Sequence, residues 1–522
     1  MTSVDVPDAP LRPDGHEADL RRLARGSALN LAGSFIAASL NLVLPVIITR
    51  SLTQADAGLF FQATAVFAIL INVGTAGADT GVLRSLPQAL VLNRRHDLRR
   101  YLVLAIVPAV VFSLLLTGML ILAAGPMSQL LTDDAASADT FREALVVLAV
   151  WIPVAVTYVI TMSSTRGLDS VRPLVFVEKI GRNALETGAA GLAATLSTSL
   201  ALIVTAWVAP YLAMLLVVAV WVLRRLRRVR AKDPDLQAPP RPWRELGSEF
   251  WRFSAPRAAS RVCVVALQRF DILVVGALRG PADAAVYAAA TRFLILGLMF
   301  VRAIQQVMTP KISECLALDD ERRAEMIYRT TTVWLTLVSW PIYLMAMLYA
   351  PLLLGIFGPG YERGATAVVI LCAAMLVATA CGPVDSVLLM GGRSMLSLFN
   401  TALALATNVG LDLLLVPEYG VTGAALGWAG GILVNNLLPL WQVNRVLSMH
   451  PLGTGTLTAM AICLISFGAV PGGCRLLLGD GLASLLVAGL LAAGVFVGLV
   501  SRRAAVLDMA ALRSVLHRRQ RR

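Results

Sequence analysis

Residues 251–278, WRFSAPRAASRVCVVALQRFDILVVGAL, are apolar and long enough to cross a bilayer, yet they carry Arg252, Arg257, Arg261, Arg269 and Asp271. An arginine near the middle of a spanning helix costs roughly 2.5–3.5 kcal/mol on insertion scales. A segment that keeps several must set them against water, an anion or a partner. At 100° per residue, Arg257, Arg261, Gln268 and Asp271 fall on a face about 80° wide, with Arg269 well round from it. Arg252 and Arg257 lie near one end, where snorkelling to the headgroups accounts for them. It does not account for Arg261 and Arg269. Intramembrane ionisable residues are functional by default, so this face is expected to line a polar cavity. Residues 284–309 bring a second set, because Arg292, Arg302 and Gln306 fall within about 80° of one another. Guanidinium groups so placed suit phosphate oxygens, which they pair bidentately in a way lysine does not reproduce.

The elements that must position these groups are transmembrane helices. Of the 522 residues, 57% are hydrophobic and 15% charged, and the mean hydropathy is +0.74. Soluble domains sit nearer 45–50% apolar and about 25% charged. The net charge of +13 falls in loops and tails beside apolar runs, which is topological information rather than a nucleic-acid signature. Cys263, Cys372, Cys381 and Cys463 lie within apolar runs, and there is neither a CxxC nor a Cys/His cluster, so no metal or disulfide framework is implied. His16, His96, His450 and His517 all fall in loops or tails. No GxxxxGK[ST] phosphate loop occurs, and no cofactor is expected.

Apolar runs near 27–49, 58–80, 101–124, 141–162, 173–195, 199–222, 250–278, 284–309, 330–355, 365–390, 395–416, 421–444, 454–477 and 481–501 predict about fourteen spans. They are helical, because an open sheet cannot satisfy its backbone in lipid. The run at 173–195 is interrupted by Glu178, Lys179, Arg182 and Glu186, whose helical spacing suits mutual pairing. The acidic start is unlike a signal peptide. With the N-terminus inside, the cytoplasmic loops collect Arg84, Arg94, Arg95, Arg99, Arg100, Arg224, Arg225, Arg227, Arg228, Arg230, Lys311, Arg322, Arg323 and Arg329. The opposite side holds little more than Arg50, Arg142, Arg279, Arg363 and Arg475, with Asp133, Asp134 and Asp139 in its longest loop. Both termini are therefore expected in the cytoplasm.

A repeat underlies the array. Residues 25–60 align without a gap onto 252–287 after a shift of 227 positions, so that Ala55-Asp56-Ala57 meets Ala282-Asp283-Ala284. Asn30, Ser34 and Asn41 meet Arg257, Arg261 and Gln268. Six spans separate the copies, an even number, which is the parallel duplication seen in transporters. The expected organisation is a tail at 1–20, a six-helix lobe at 21–222, a basic linker at 223–249 and a second six-helix lobe at 250–445. Two further helices at 446–501 and a basic tail at 502–522 complete it.

Two six-helix halves, a basic connection and two trailing helices resemble the MOP exporter superfamily, and within it the polysaccharide-biosynthesis flippases of the Wzx type, with the lipid II flippases as cousins. The carrying stretches are TRSLTQADAGLFFQATAVFAILINVGTAGADTGVLR at 49–84, LQRFDILVVGALRGPADAAVYAAATRFLILG at 267–297 and NTALALATNVGLDLLLVPEYGVTGAALG at 400–427. The resemblance covers nearly the whole chain, through loose patterns of glycine, small and apolar residues. It implies an all-α polytopic bundle whose two lobes alternate access to a central cavity lined by helices one, two, seven and eight. Asn30, Ser34, Asn41, Asn72, Asp79, Arg257, Arg261, Gln268, Asp271, Arg292 and Arg302 match that placement.

On this resemblance the substrate is a lipid-linked oligosaccharide on a polyprenyl diphosphate, moved across the cytoplasmic (inner) membrane. Arg257, Arg261, Arg292 and Arg302 would hold the diphosphate, and Gln268, Asn30, Ser34 and Asn41 the sugar hydroxyls. Asp79, Asp271, Arg269 and Arg84 are the coupling or gating candidates. Asp79 and Asp271 would steady the arginines between substrates or couple to a cation; a static interhelical pair between Asp271 and an arginine is the equal alternative. The expected partners are substrate and membrane lipids around a monomer, with no nucleic acid and no enzymatic activity. A drug or organic-cation extruder of the same superfamily is the nearest rival, although such a cargo favours an acidic cleft. A membrane glycosyltransferase or polymerase would need acidic catalytic residues on larger outside loops.

Overall fold

The computed structural model describes residues 33–132, 134–168, 170, 172–230, 241–318, 320–504 and 506–507. Asn30, the tail at 1–20 and most of the tail at 502–522 lie outside them. Among the described residues every regular element is helical. The first half comprises α1 (Gly33–Ser51), α2 (Gln54–Thr75), α3 (Ala78–Val91), α4 (Asp97–Leu131) and α5 (Ala135–Gly167). A π-helical stretch, Leu174–Arg182, then runs into α6 (Asn183–Leu196), followed by α7 (Leu200–Val208) and α8 (Pro210–Arg230).

The second half comprises α9 (Trp243–Arg279), α10 (Pro281–Ala290), α11 (Arg292–Ala317), α12 (Glu321–Leu348), α13 (Ala350–Gly355), α14 (Ala365–Ala380), α15 (Val384–Met390) and α16 (Ser394–Leu447). The chain continues through α17 (Thr454–Cys463), a second π-helical stretch at Leu464–Ala469, α18 (Val470–Leu478) and α19 (Leu482–Arg502). Local chemistry sets several of the boundaries. Thr53 caps α2 by accepting the Asp56 N–H at 3.1 Å, and Asp134 caps α5 by accepting that of Ser137 at 2.8 Å. α16 is two helices joined at Gly420, where the backbone turns to φ 54°.

Among the described residues eleven helices are long and apolar enough to span, by length and composition. Fourteen were expected, and the difference has a physical origin. α16 counts once although it contains two helices, while α9 and the stretch 174–196 carry the very charges that lower their hydropathy. The duplication is visible in the boundaries. α10 begins at Pro281, 227 residues after α2 begins at Gln54. α11 ends at Ala317, 226 residues after α3 ends at Val91.

α4, α5 and α7 pack around α2, with α8 against α5 and α7, and α12, α14 and α16 pack beside α9, α10 and α11. The two halves meet along α2, which lies against both α9 and α10. One continuous apolar cluster runs across that seam, from Phe60, Phe67 and Tyr158 to Val275, Tyr287 and Phe357.

Candidate functional site

α9 is shared between the halves, and small residues make that possible. Its first turns bury Leu246 and Phe250 against α3 and α4. Gly77, at φ +77°, lies so close beneath the Ser254 carbonyl that a β-carbon there would overlap it. The second part of α9 buries Leu267, Asp271, Ile272, Val274 and Val275 against α2, α10 and α16.

Between these anchored parts, Arg257, Arg261 and Gln268 are exposed on α9, as is Arg302 on α11. The Arg257 guanidinium lies 4.8 Å from the Phe253 ring centre. Arg261 reaches across to α2, its Nε donating to Asn72 Oδ1 at 3.2 Å. Arg292 is half-buried at 5.4 Å from the Phe61 ring, its Nε buried without a hydrogen-bond partner. The charge of Arg269 acts upon it and repels it. Among the described residues none of Arg257, Arg261, Arg269, Arg292 and Arg302 forms an ion pair. A guanidinium stays charged in any protein setting. Arg269 and Arg292 are the half-buried members, and a desolvated guanidinium without a counter-charge is destabilising by several kcal/mol, so these two positions are suited to an anion.

The remaining expected polar residues are placed differently. Ser34 accepts from Lys179 Nζ at 2.5 Å, and Asn41 turns back to donate to the Ala37 carbonyl at 2.7 Å. Asp79 is half-buried, accepting from Thr80 Oγ1 at 3.4 Å. Arg84 is exposed with its guanidinium 4.2 Å from Phe253. The charges at 178–186 do pair with one another. Arg182 Nη2 lies 3.1 Å from Glu178 Oε1, and Nη1 pairs with Glu186. Tyr158 OH donates to Glu178 Oε2 at 2.5 Å.

Among the described residues Asp271 has no arginine partner. Tyr287 OH on α10 donates to its Oδ2 at 2.5 Å, and the carboxylate of Asp412 on α16 lies beside it. Asn408 Nδ2 lies 3.4 Å from Asp412 Oδ2. A β-carbon at Gly427, on the second helix of α16, would overlap Asp412 Oδ1, so glycine lets the two helices close over the acid. The Oδ1 atoms of Asp271, Asn408 and Asp412 are all buried and unpartnered. Two adjacent buried carboxylates cannot both ionise without a counter-charge. An all-oxygen set of this kind accepts a proton or a hard cation. Asn408 and Asp412 were missed in the sequence, although polar residues four apart in the apolar run ATNVGLDLLL were the available signal.

At one end of the seam the halves are latched. Arg50 Nη2 donates to the Gly355 carbonyl at 2.7 Å and Nε to that of Ile356 at 2.9 Å. Gln54 Nε2 donates to the Pro359 carbonyl at 2.8 Å, and Arg363 bridges Gln54 and Asp283 at 3.2 Å each.

The profile of the polysaccharide biosynthesis protein family matches residues 23–316, more than half of the chain. The chain belongs to that family. The matched region holds α1 to α10, all but the last residue of α11, and with them Arg257, Arg261, Arg269, Arg292 and Arg302; the MatE profile matches residues 256–414. Two curated relatives are similar over shorter stretches. A "Putative O-antigen transporter" of Shigella flexneri is 24% identical over 35% of this chain. A "Probable low-salt glycan biosynthesis flippase" of Haloferax volcanii is 20% identical over 38% of it. The chain spans 43% of the length of each of these relatives.

Among solved structures, an inward-facing multidrug resistance MATE transporter of the MOP superfamily superposes with a TM-score of 0.65 at 16% identity, covering 81% of this chain and 98% of that one. The lipid II flippase MurJ, in an inward closed conformation, superposes at 0.63 with 12% identity, covering 92% and 99%. This family member therefore has the MOP transporter fold.

Proposed function

We propose that the protein is a flippase that carries a polyprenyl diphosphate-linked oligosaccharide across the cytoplasmic membrane by alternating access, for export of a cell-surface polysaccharide. The observation that carries the reading is the set of arginines on α9 and α11 without a carboxylate partner. In this reading the diphosphate meets Arg257, Arg261, Arg292 and Arg302, with Arg269 adding to the field. The prenyl tail stays in the bilayer while the head crosses. Gln268 and Asn72 face the sugar hydroxyls, whereas Ser34 and Asn41 contribute after exchanging their present partners; Asn30 is assigned with them from the sequence.

Two lobes, 21–222 and 250–445, rock about the seam, with 446–501 trailing and both termini in the cytoplasm. α16 read as two spans, together with α9 and 174–196, makes fourteen crossings. The protein works as a monomer and performs no covalent chemistry. Coupling runs through Asp271, Asn408 and Asp412, where a proton or hard cation neutralises the acids; Asp79 and Arg84 act at the gates. Each elementary charge moved across 100 mV supplies about 2.3 kcal/mol.

Deleting the gene and extracting lipid-linked sugars tests this reading. Loaded carrier is expected to accumulate on the cytoplasmic leaflet, to disappear when the intact gene is restored, and to persist with an Arg261→Ala copy. Unchanged carrier pools, together with gained sensitivity to organic cations, would instead make the protein an extruder, the reading that the MatE profile favours.

A further inference from the structure

We propose a second anion site, at the cytoplasmic mouth and apart from the deeper arginines, that takes a lipid-borne phosphate group. A cleft of about 600 Å³ opens where α3 ends and α9 begins, lined by Arg84, Arg244, Arg252, Phe253, Glu245 and Glu249 among others. Glu249 is already taken, accepting from Arg241 Nη1 at 2.8 Å. That leaves three arginines against Glu245, and among the described residues none of the three forms an ion pair.

The geometry favours phosphate over a diffuse cloud of counter-ions. The guanidiniums of Arg84 and Arg257 both lie over the Phe253 ring, at 4.2 and 4.8 Å from its centre. A guanidinium held face-on to a ring keeps its N–H edge free, and that edge is what a phosphate accepts from. The site is also preformed. Ser254 and Phe250, on either side of Phe253, are buried against Gly77, which precedes α3, and Gly81 on it, so Arg84 and the first turns of α9 are held to one body.

At 1.5 Å per residue, Arg252, Arg257 and Arg261 climb α9 in steps of roughly 6–8 Å. A phosphate docked at the mouth would be one short step from Arg257 and two from Arg261, which reaches the seam. This ordering rests on the flippase reading; binding at the mouth does not.

Two phosphate sources share this chemistry, an anionic phospholipid and the diphosphate of an isoprenoid carrier. The test uses the full chain in phosphatidylcholine nanodiscs, with inorganic pyrophosphate as probe. Binding is expected to weaken at least tenfold in the Arg84→Gln/Arg244→Gln/Arg252→Gln triple variant and less than twofold in Arg322→Gln/Arg323→Gln, on another cytoplasmic loop. The exposed pair Arg244→Gln/Arg252→Gln, which disturbs no packed residue, is expected to weaken it at least threefold and guards against misfolding of the triple. Repeating the titration with phosphatidylglycerol in the disc separates the sources. Competition in the wild type assigns the site to bulk lipid, and its absence assigns it to the carrier diphosphate. Affinity equal in wild type and triple variant would overturn the site, as would loss confined to Arg261→Gln/Arg292→Gln, and neither result touches the flippase reading. Conversely, unchanged carrier pools on gene deletion would sink that reading while leaving pyrophosphate binding to be judged by itself.

Discussion

Two parts of the molecule look alike on paper and differ in three dimensions. The stretch 174–196 and the helix α9 are both apolar segments broken by charges. In the first, Arg182 lies between Glu178 and Glu186, Tyr158 donates to Glu178, and Lys179 donates to Ser34. In the second, Arg257, Arg261 and Arg269 have no acid among the described residues, and Asp271 faces another acid there instead of an arginine. Charge density within a membrane helix is therefore not what marks a site. A charge whose counter-charge is missing is the better candidate, because a ligand would supply what the fold does not.

The sharpest way to break this comparison is to remove one member of each set. Arg182→Ala leaves Glu178 and Glu186 facing each other, and breaking such a buried network costs about 3–5 kcal/mol. The melting temperature in detergent is expected to fall steeply. Arg261→Ala is expected to change stability by no more than about 0.5 kcal/mol, as for other exposed sites, while abolishing carrier translocation. Equal melting temperatures for the two variants would erase the distinction.

Asp412→Asn extends the comparison to the acids. Translocation by the wild type in sealed vesicles is expected to accelerate under an imposed sodium or proton gradient. A full charge across 100 mV is worth about 2.3 kcal/mol, or roughly fortyfold. The variant should not respond, and a retained response would place coupling elsewhere.

Arg292→Gln sharpens the anion side. Losing a charged hydrogen bond of about 1.5–3 kcal/mol weakens diphosphate binding by roughly tenfold or more. Stability should hold or rise, since a guanidinium without a partner is removed.

The smallest effect is the baseline, the ordinary capping carboxylate at the start of α5. The Ser137 N–H and hydroxyl hold the Asp134 carboxyl below the usual carboxylate range. Because the folded-state value is the depressed one, the stabilisation is present near neutral pH and fades as pH falls through it. Asp134→Ala is expected to melt slightly below wild type at pH 7 and to converge with it in acid, by thermal scans at both pH values.

Much of the architecture was legible because lipid imposes a one-dimensional rule. Backbone groups must be satisfied within each segment, so apolar length marks most of the spans. The duplication was legible for a similar reason: equal spacing needs no knowledge of contacts, and the starts of α2 and α10 keep it. The self-pairing of 178, 182 and 186 could be anticipated because partners one helical turn apart are local.

Partnerships between distant segments could not be read that way. Nothing in the spacing of residues 34 and 179 says that the hydroxyl of one accepts from the amine of the other. Asp412 becomes notable only when α16 folds back at Gly420 and brings Gly427 over it, beside Asp271 of α9. By itself the sequence determined that the chain is a helical membrane protein, where its helices run and which charges it keeps in them, because hydrophobicity and periodicity act along the chain. Tertiary structure alone decided which of those charges are neutralised, because electrostatic energy depends on distance through space and on solvent excluded by neighbours that the linear order does not identify.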